Sequence, residues 1–523
     1  MKLDKISPEI YAGDVDDDPK DKQTVIEELL SITHRDIIKK VIDNSDNNKV
    51  YGLIIINNHH ETILLDSTRA REWLQYRYYQ NSWKLCSQDD CKQALQIAAS
   101  EIKFDAKSEK EIIYNRIAMV NNSIFYDMCT NNWDIVEINE KGWEIIPMDE
   151  DTPIFERKQQ QLQQVLPKTN DNYDALNEMC KLLRIKDLDR TIFKIQLVAF
   201  FIEKYPIPIM VFTGDQGSIK TTIMQTVKCV VDPSAQLSSR LHKKLEDISI
   251  HLYNRYMSAF DNISEFNKSI SDLLCRVITG EGDSKRSLYT NMDEIIMNYR
   301  RKIILNGIAP SLDYPDLIDR SIFYETNPIS EDNRLTLEEF EEKRAKILPY
   351  LIQQIFDILS KAITNYDSSK KDLRGKMPRM SDFSIWGEAI ARAMGIEKML
   401  FIEIYSERIT TDSLDIVNYY PIFQLVQKMM ENIPKYEDTI SKFYDYLKSH
   451  AVDENIDTKS AESKFPKGAN KVREQIKMLR PTFKQLGLEI TLTKNTITQK
   501  DKSWSKGAMI IRIFKINEES LIW

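Results

Sequence analysis

The nine residues GDQGSIKTT, 214–222, constrain the fold more than any other part of the chain. They follow the apolar run IPIMVF and precede a segment whose pattern predicts a helix. A glycine-containing loop between a strand and a helix, ending in Lys-Thr, is typical of phosphate-binding (Walker A) P-loops, because backbone N–H groups and the helix dipole hold the phosphates. In this chain Ile219 stands where the pattern has glycine before the lysine. We therefore predict an α/β core that binds ATP with Mg²⁺.

The motif assigns a role to the end of this loop. Lys220 is expected to reach the β- and γ-phosphates, and the hydroxyl of Thr221 to bind Mg²⁺. Isoleucine at 219 is tolerable if the backbone there has a helical φ, whereas a positive φ would distort the loop. The predicted nucleotide-binding residues are Gly214, Asp215, Gln216, Gly217, Ser218, Ile219, Lys220, Thr221 and Thr222.

Three polar residues follow at the ends of later segments. The apolar strand in YMSAFDNIS carries Asp261, which we predict as the second Mg²⁺ ligand, because P-loop folds hold their metal with a carboxylate at such a strand end. The strand RKIILNG ends in Asn306, which is placed to orient the attacking water. Arg320, in DLIDRS, is predicted as an arginine finger that enters a neighbouring subunit's site.

The residue after Asp261 limits the expected chemistry. Many P-loop sites have a glutamate there that polarises the water, whereas this chain has Asn262. Because an amide cannot accept a proton, the base would have to be Asp261, a nearby carboxylate such as Glu265, or bulk water. The sequence therefore supports nucleotide binding more strongly than rapid hydrolysis.

In order and spacing, these segments resemble the AAA+ ATPases and, within them, the superfamily 3 helicases of viruses and plasmids. The chain resembles more closely a group of ATP-binding proteins carried by bacterial and archaeal mobile elements. The resemblance is carried by GDQGSIKT, FDNIS, ITGEGDSKRSLYT, IILNG and LIDRS, and by RMSDFSIWGEAIARAMG further on. It covers residues 50–520 and is strongest over 205–325.

The resemblance also implies a nucleic-acid contact. In superfamily 3 helicases the segment between the Asp strand and the Asn strand is a hairpin that enters the channel of a hexamer and follows the nucleic-acid backbone. Here that segment is TGEGDSKRSLYTNMDEIIMNYRRK, so Lys285, Arg286 and Asn291 are the candidate contacts. The alternative is a solvated basic turn.

The C-terminal segment is basic, although the whole chain has a net charge of −8. From Lys464 to Lys515 there are thirteen Lys and Arg against three acidic residues. Three predicted helices followed by two strands suggest a winged helix that contacts DNA. The predicted contacts lie in ANKVREQIKMLRPTFKQL and are Lys471, Arg473, Lys477 and Lys484. The same stretch could equally be a packing helix with a charged surface.

A length of 523 residues predicts several domains. We expect an acidic tail (1–20), an N-terminal α+β domain (21–165), an AAA+-like P-loop core with a parallel sheet (166–330), a helical region (331–415) and a winged-helix domain (416–523). Within these domains the patterns predict a helix over 22–43, paired strands in YGLIIINN and ETILLD, a run of short strands in NSIFYDMC, WDIVEI and GWEIIPM, a polar break over 365–378 and a helix that begins at Glu437. No apolar run is long enough to span a bilayer, and the N-terminus lacks the apolar segment of a signal peptide, so a cytoplasmic protein is expected.

Three hypotheses of function follow. The first is an ATP-dependent DNA helicase or translocase, a homo-hexamer that acts on single-stranded or forked DNA in plasmid or virus-like replication, alongside other replication proteins. The second is a nucleotide-gated winged-helix initiator or regulator with weak or no hydrolysis. The third is a degenerate ATPase that serves as an assembly scaffold.

Overall fold

The computed structural model describes residues 24–516 except 171, 216–217, 264–265, 281–282, 287–293, 298, 308–313, 329, 331, 333, 418–419, 461–462 and 496–503. The described chain divides into two compact units. The first takes in the residues up to Ile112 together with Asp149–Ile154, and the second takes in Ile113–Met148 and the residues from Phe155 onward. The contacts thus group 113–148 with the second unit, while the predicted domain boundaries stay predictions.

The first unit packs helices on a four-stranded sheet of order β3-β2-β1-β4. Its elements are α1 (Val25–Asp36), β1 (Ile37–Asp43), β2 (Asp46–Ile56), β3 (His59–Leu64), α2 (Thr68–Ser82), α3 (Gln88–Phe104) and β4 (Lys110–Glu111). The predicted pairing of YGLIIINN with ETILLD is confirmed as the antiparallel pair β2–β3. The helix predicted over 22–43 is wrong beyond Asp36, because IIKKVID pairs with β2 and four of its seven residues are β-branched, which favours a strand.

The second unit begins with a small antiparallel sheet of order β5-β6-β7-β8, which confirms the predicted run of short strands. Its strands are β5 (Ile117–Val120), β6 (Ser123–Asp127), β7 (Asp134–Asn139) and β8 (Gly142–Pro147). Two helices follow, α4 (Ala175–Leu182) and α5 (Arg190–Ala199).

A five-stranded parallel sheet of order β10-β11-β14-β9-β15 forms the centre of this unit. The elements here are β9 (Ile209–Thr213), α6 (Lys220–Val231), β10 (Ser239–Arg240), α7 (Leu245–Tyr253), β11 (Met257–Ile263), α8 (Lys268–Thr279), β12 (Asp283–Arg286), β13 (Glu294–Met297), β14 (Lys302–Gly307), α9 (Pro315–Ile318) and β15 (Ser321–Glu325). Every residue of β9 and β14 is buried, as expected for parallel strands covered on both faces. The predicted α/β class with a parallel sheet is therefore confirmed.

A charged network lies in the interior between this sheet and the small antiparallel sheet. Arg116, Lys228 and Asp232 are each at most 1% exposed. Asp232 contacts Arg116 Nε at 3.1 Å and Lys228 Nζ at 2.5 Å. Burial raises the pKa of Asp232, but the two cations lower it, and the net shift is downward. We call these three residues the buried ion network.

Three helices cover the next stretch: α10 (Leu337–Asp372), α11 (Ser381–Ala393) and α12 (Leu400–Val417). A capping box between Thr336 and Glu339 starts α10. The polar break predicted over 365–378 is wrong in its first half, because α10 continues to Asp372. Lys370 and Lys371 in the last turn favour this extension through the helix dipole.

The last part of the chain has its own core. Its elements are α13 (Pro421–Asn432), β16 (Lys435–Thr439), α14 (Ile440–Asp453), α15 (Ala469–Gln485), β17 (Leu488–Lys494) and β18 (Met509–Lys515). The predicted three helices and the two final strands are present. The helix predicted from Glu437 is wrong at its start, because Lys435–Thr439 adds a third strand on β18 and Thr439 caps α14 instead.

None of the helices in the described part of the chain is both long and apolar enough to cross a membrane.

Candidate functional site

The loop between β9 and α6 begins at a glycine that no other residue could replace without strain. Gly214 has φ +134°, and a Cβ there would lie 2.3 Å from the carbonyl oxygen of Thr326. Ser218 closes the loop by donating its hydroxyl to Asp215 O at 2.8 Å. Gln216 and Gly217, two of the predicted nucleotide-binding residues, lie outside the described residues.

The ammonium group of Lys220 is folded back onto this loop. Its Nζ donates to Gly214 O and Asp215 O, both at 2.7 Å, and to Ser218 Oγ at 2.8 Å. Burial lowers the pKa of Lys220, against the opposing influence of Asp215 and Asp261. Because an ammonium group has three N–H donors, a phosphate would bind Lys220 by exchanging with these loop acceptors.

Ile219 has φ −73° and ψ 11° and immediately precedes α6. This φ is helical, and at a helical φ an isoleucine is accommodated without distorting the loop. The side chain packs against the main core of the second unit. The departure from glycine therefore leaves the loop unstrained at this position.

A cavity of about 320 Å³ adjoins the loop on the side of Ile219. Its lining includes Ile219 and Thr222 from the loop and α6, Leu182 at the end of α4 and Arg184 just after it, and Phe340 from α10. The lining is mixed, with two arginines, Arg184 and Arg334, and several hydroxyl side chains beside the apolar residues. Sequence reasoning missed Leu182, Arg184 and Phe340, which come from parts of the chain without a motif.

Three predicted residues from separate segments meet at the carboxyl edge of the parallel sheet. Thr221 Oγ1 lies 3.2 Å from Asp261 Oδ1. Asn306 donates its amide to Asp261 Oδ1 at 2.6 Å and to Thr221 Oγ1 at 3.2 Å. Asn306 is only 3% exposed, whereas the other two are half-buried. We call Thr221, Asp261 and Asn306 the edge cluster.

The edge cluster fits an octahedral divalent cation. Mg²⁺ takes oxygen ligands at about 2.1 Å, so two neighbouring ligands of an octahedron lie about 3.0 Å apart. The observed separation of 3.2 Å between Thr221 Oγ1 and Asp261 Oδ1 is close to that spacing. A hydroxyl and a carboxylate are also the hard oxygen donors that Mg²⁺ prefers.

Thr326 supports the loop and was missed from the sequence. It directly follows β15, and its backbone N–H donates to Thr213 O at 2.8 Å. Its hydroxyl oxygen lies 2.9 Å from Thr213 O and 3.0 Å from Ser218 Oγ. Thr326 could be identified only from its position at the end of the strand that pairs with β9. That pairing is known only once the strand order is known.

Arg320 is not brought to the edge cluster. It precedes β15, and its carbonyl accepts from Ile209 N at the start of β9, so it lies at the amino edge of the parallel sheet. The five residues of β15 span about 16 Å between the two edges. The guanidinium contacts Asp316 at 3.2 Å, and Arg379 binds the same carboxylate at 2.8 Å.

The segment between β11 and β14 contains the antiparallel pair β12–β13, in which Lys285 is opposite Ile295 and Arg286 is opposite Glu294. This agrees with the hairpin that the resemblance implies. Asn291 lies outside the described residues.

The predicted C-terminal contacts all lie on α15. Lys471, Lys477 and Lys484 are exposed, and Arg473 is half-buried. Lys471 also pairs with Glu474 at 2.7 Å.

The fold and the edge cluster together define a class: an α/β protein with a parallel sheet and a polar site at its carboxyl edge. Two family models then match the chain. Residues 179–410 match the actinomycete integrative conjugative element replication protein, and 422–519 match the C-terminal domain of the same protein, RepA. Together they cover more than half of the chain, which therefore belongs to this family of mobile-element replication proteins. The predicted resemblance to mobile-element proteins is confirmed.

The solved structures that the chain matches have low sequence identity and low TM-scores. The apo C-terminal region of NrS-1 is 13% identical, covering 94% of this chain and 99% of that chain, with a TM-score of 0.42. Cch of SCCmec type IV, described as an active helicase, is 12% identical, covering 93% of this chain and 94% of that chain, with a TM-score of 0.42. The JCV helicase is 15% identical, covering 44% of this chain and 68% of that chain, with a TM-score of 0.24. No curated protein sequence matches the chain.

Proposed function

We propose that the chain is an ATP-dependent DNA helicase or translocase of mobile-element replication, and that it works as a hexameric ring with ATP between subunits. The observation that carries the proposal is the edge cluster beside Lys220. A threonine hydroxyl, a carboxylate and an amide from three separate segments lie within 3.2 Å of one another at the end of a loop suited to phosphates. Membership of a replication-protein family fits this function.

In this proposal the residues of the loop and of the edge cluster have separate roles. Lys220 exchanges its loop acceptors for the β- and γ-phosphates, while Thr221 and Asp261 hold Mg²⁺. Asn306 orients the attacking water by its amide, which already lies 2.6 Å from Asp261. The cavity beside Ile219 takes the base, because it adjoins the loop and its apolar side chains, Ile219 and Phe340 among them, suit an aromatic ring.

Arg320 acts in trans. Its position at the amino edge of its own sheet separates it from its own edge cluster, so only a neighbouring subunit's cluster is available to it. A ring places such an arginine at the nucleotide of the next subunit, where it would stabilise the charge of the transferred phosphoryl group. Asp316, whose carboxylate Arg379 also binds, holds it until then.

Two further regions would contact DNA. The β12–β13 hairpin, with Lys285, Arg286 and Asn291, would follow the strand. The C-terminal part would be a winged helix, with α15 and its exposed lysines against the phosphates. The five predicted domains would then separate nucleotide chemistry from DNA loading.

An alternative is a nucleotide-gated initiator with weak hydrolysis. It is favoured by Asn262, which has φ +55° and presents an amide where a basic carboxylate would speed hydrolysis. The third hypothesis, an assembly scaffold, requires ATP binding with no turnover at all.

The deciding experiment measures ATP hydrolysis by the full chain with and without single-stranded DNA, together with ATP-dependent displacement of one strand from a forked duplex. DNA-stimulated hydrolysis with displacement supports the helicase. Weak hydrolysis without displacement supports the initiator, and ATP binding with no hydrolysis at all supports the scaffold. Absence of ATP binding overturns all three.

A further inference from the structure

A second cavity, of about 470 Å³, opens at the β10 end of the parallel sheet. Its rim carries Arg240, His242 and Lys243, from the end of β10 and the segment that follows. All three residues are exposed. None of the described lining residues is a carboxylate, so the cavity is suited to an anion.

The other wall of the cavity is apolar. Ile263 and Ile270 are buried there, and the ring of Phe266 is half-buried. Phe266 is held from behind by Tyr314, with ring centroids 6.0 Å apart. A basic rim over an aromatic floor suits a nucleotide unit, whose phosphate takes the positive charge while its base stacks on the ring.

This cavity is separate from the proposed ATP site. Two strands, β11 and β14, lie between β10 and β9 in the sheet order, and β9 leads into the phosphate loop. A nucleotide unit bound here is therefore not the ATP that Lys220 would hold.

The cavity nevertheless joins the edge cluster through two neighbouring residues. Arg240 is directly opposite Asp261 in the β10–β11 pair. The next residue, Asn262, lines the cavity and has φ +55° at a register shift between Phe260 and Ile263. The left-handed backbone thus sets Asn262 in the cavity while Asp261 stays in the edge cluster.

We propose that this cavity binds one nucleotide unit of single-stranded DNA, and that its occupancy controls turnover through the Asp261–Asn262 link. Arg240, His242 and Lys243 hold the phosphate, and Phe266 stacks on the base. The inference rests on the proposed function, since it names the DNA contact that would report to the ATP site. It assigns to Asn262 a role in sensing DNA rather than in activating water.

The test uses the double variant Arg240→Gln/Lys243→Gln of the full chain. The control is Lys370→Gln/Lys371→Gln, which removes the same two positive charges from exposed residues of α10. The probe is a labelled oligothymidylate. Losing the side chains that neutralise this one phosphate should weaken binding about tenfold at low salt and reduce the slope of log K against log salt by about 0.7. The DNA concentration that half-stimulates hydrolysis should rise in parallel, with hydrolysis in the absence of DNA unchanged.

A second variant, Asn262→Gly, keeps the positive φ available and removes the amide. It should leave oligothymidylate affinity unchanged and reduce the stimulation of hydrolysis. If the double variant and its control lose the same affinity for oligothymidylate, the DNA site is wrong. If DNA stimulates hydrolysis by Asn262→Gly as strongly as by the unmodified chain, the link to Asp261 is wrong.

Failure of the proposed function would look different. If the unmodified chain neither binds nor hydrolyses ATP, the proposed function fails, yet the binding comparison still tests the cavity. If the double variant changes the oligomeric state and leaves DNA affinity intact, the rim is a contact between subunits and the DNA site is wrong.

Discussion

Two groups of polar side chains share helix α6 and behave in opposite ways. Thr221, in the first turn, belongs to the edge cluster, and Lys228, two turns later, belongs to the buried ion network. In the network the guanidinium of Arg116 donates to Asp232 and to three backbone carbonyls, while Lys228 also donates to Met257 O. In the edge cluster both partners of Asp261 approach the single atom Oδ1.

The two groups differ in how many of their hydrogen-bonding positions have a protein partner and in how exposed their side chains are. Charges that are fully buried and fully bonded fix the geometry of a fold, and little is left with which to bind a ligand. Half-buried oxygens at the end of a sheet keep room for a cation or a water. The same helix therefore connects a rigid interior to an edge that can exchange partners.

The largest effect is expected at Arg320. Arg320→Ala should leave ATP binding intact and reduce turnover by about 10³–10⁵-fold, because the arginine would stabilise transition-state charge in the neighbouring site. Lys220→Ala should abolish ATP binding or turnover in its own site. Mixing the two variants should restore part of the activity, measured as steady-state hydrolysis. Mixtures with no recovery would exclude action in trans.

Next is the stability of the buried ion network. Asp232→Ala leaves two buried cations without their carboxylate and should lower the free energy of unfolding by about 3–5 kcal/mol. The matched variant Asp261→Ala removes a half-buried carboxylate from β11. It should lower the free energy of unfolding much less. Chemical denaturation of both proteins measures this. Equal losses would mean that the edge cluster is as structural as the network.

A smaller effect is expected at the amide of the edge cluster. Asn306→Ala removes a preorganised donor and should lower single-turnover hydrolysis by about 10²–10³-fold. Because Asn306 is assigned to the water rather than to the nucleotide, ATP affinity should change little. If affinity and hydrolysis fall together, Asn306 binds the phosphates instead.

The smallest effect concerns His251, a buried ionisable group held neutral. It is 8% exposed, and burial, reinforced by Arg255 and His242, lowers its pKa to about 3. Since the unfolded chain binds the proton more tightly, this histidine's contribution to stability is present above pH 6.5 and is lost as the pH falls toward 3. At pH 5 the loss is about 2 kcal/mol.

The measurement compares the pH dependence of unfolding for the unmodified chain and for His251→Gln. The variant should show a shallower decline between pH 6.5 and 3. Parallel curves would mean that His251 stays accessible to protons in the folded chain.

The sequence predicted the edge cluster because each member lies next to an apolar strand, and carboxyl ends of parallel strands meet at one edge. It did not predict Thr326 or Arg184, which carry no motif and reach the loop only through the strand order and the packing of α4. The buried ion network was also missed, because Arg116 and Asp232 are distant along the chain. Local helix patterns likewise hid β1 and β16, which became strands through pairing with partners elsewhere.

Helix α10 has a mechanical consequence. Its 36 residues form a rod about 54 Å long, capped at Thr336 beside the cavity next to Ile219 and packed along its length on other helices of the unit. Pro349 removes one backbone donor from its middle, while its own carbonyl accepts from Lys168 N. In the proposed function, a base that enters this cavity would contact the capped end of the rod, so nucleotide occupancy and the packing of the helical region would be mechanically linked.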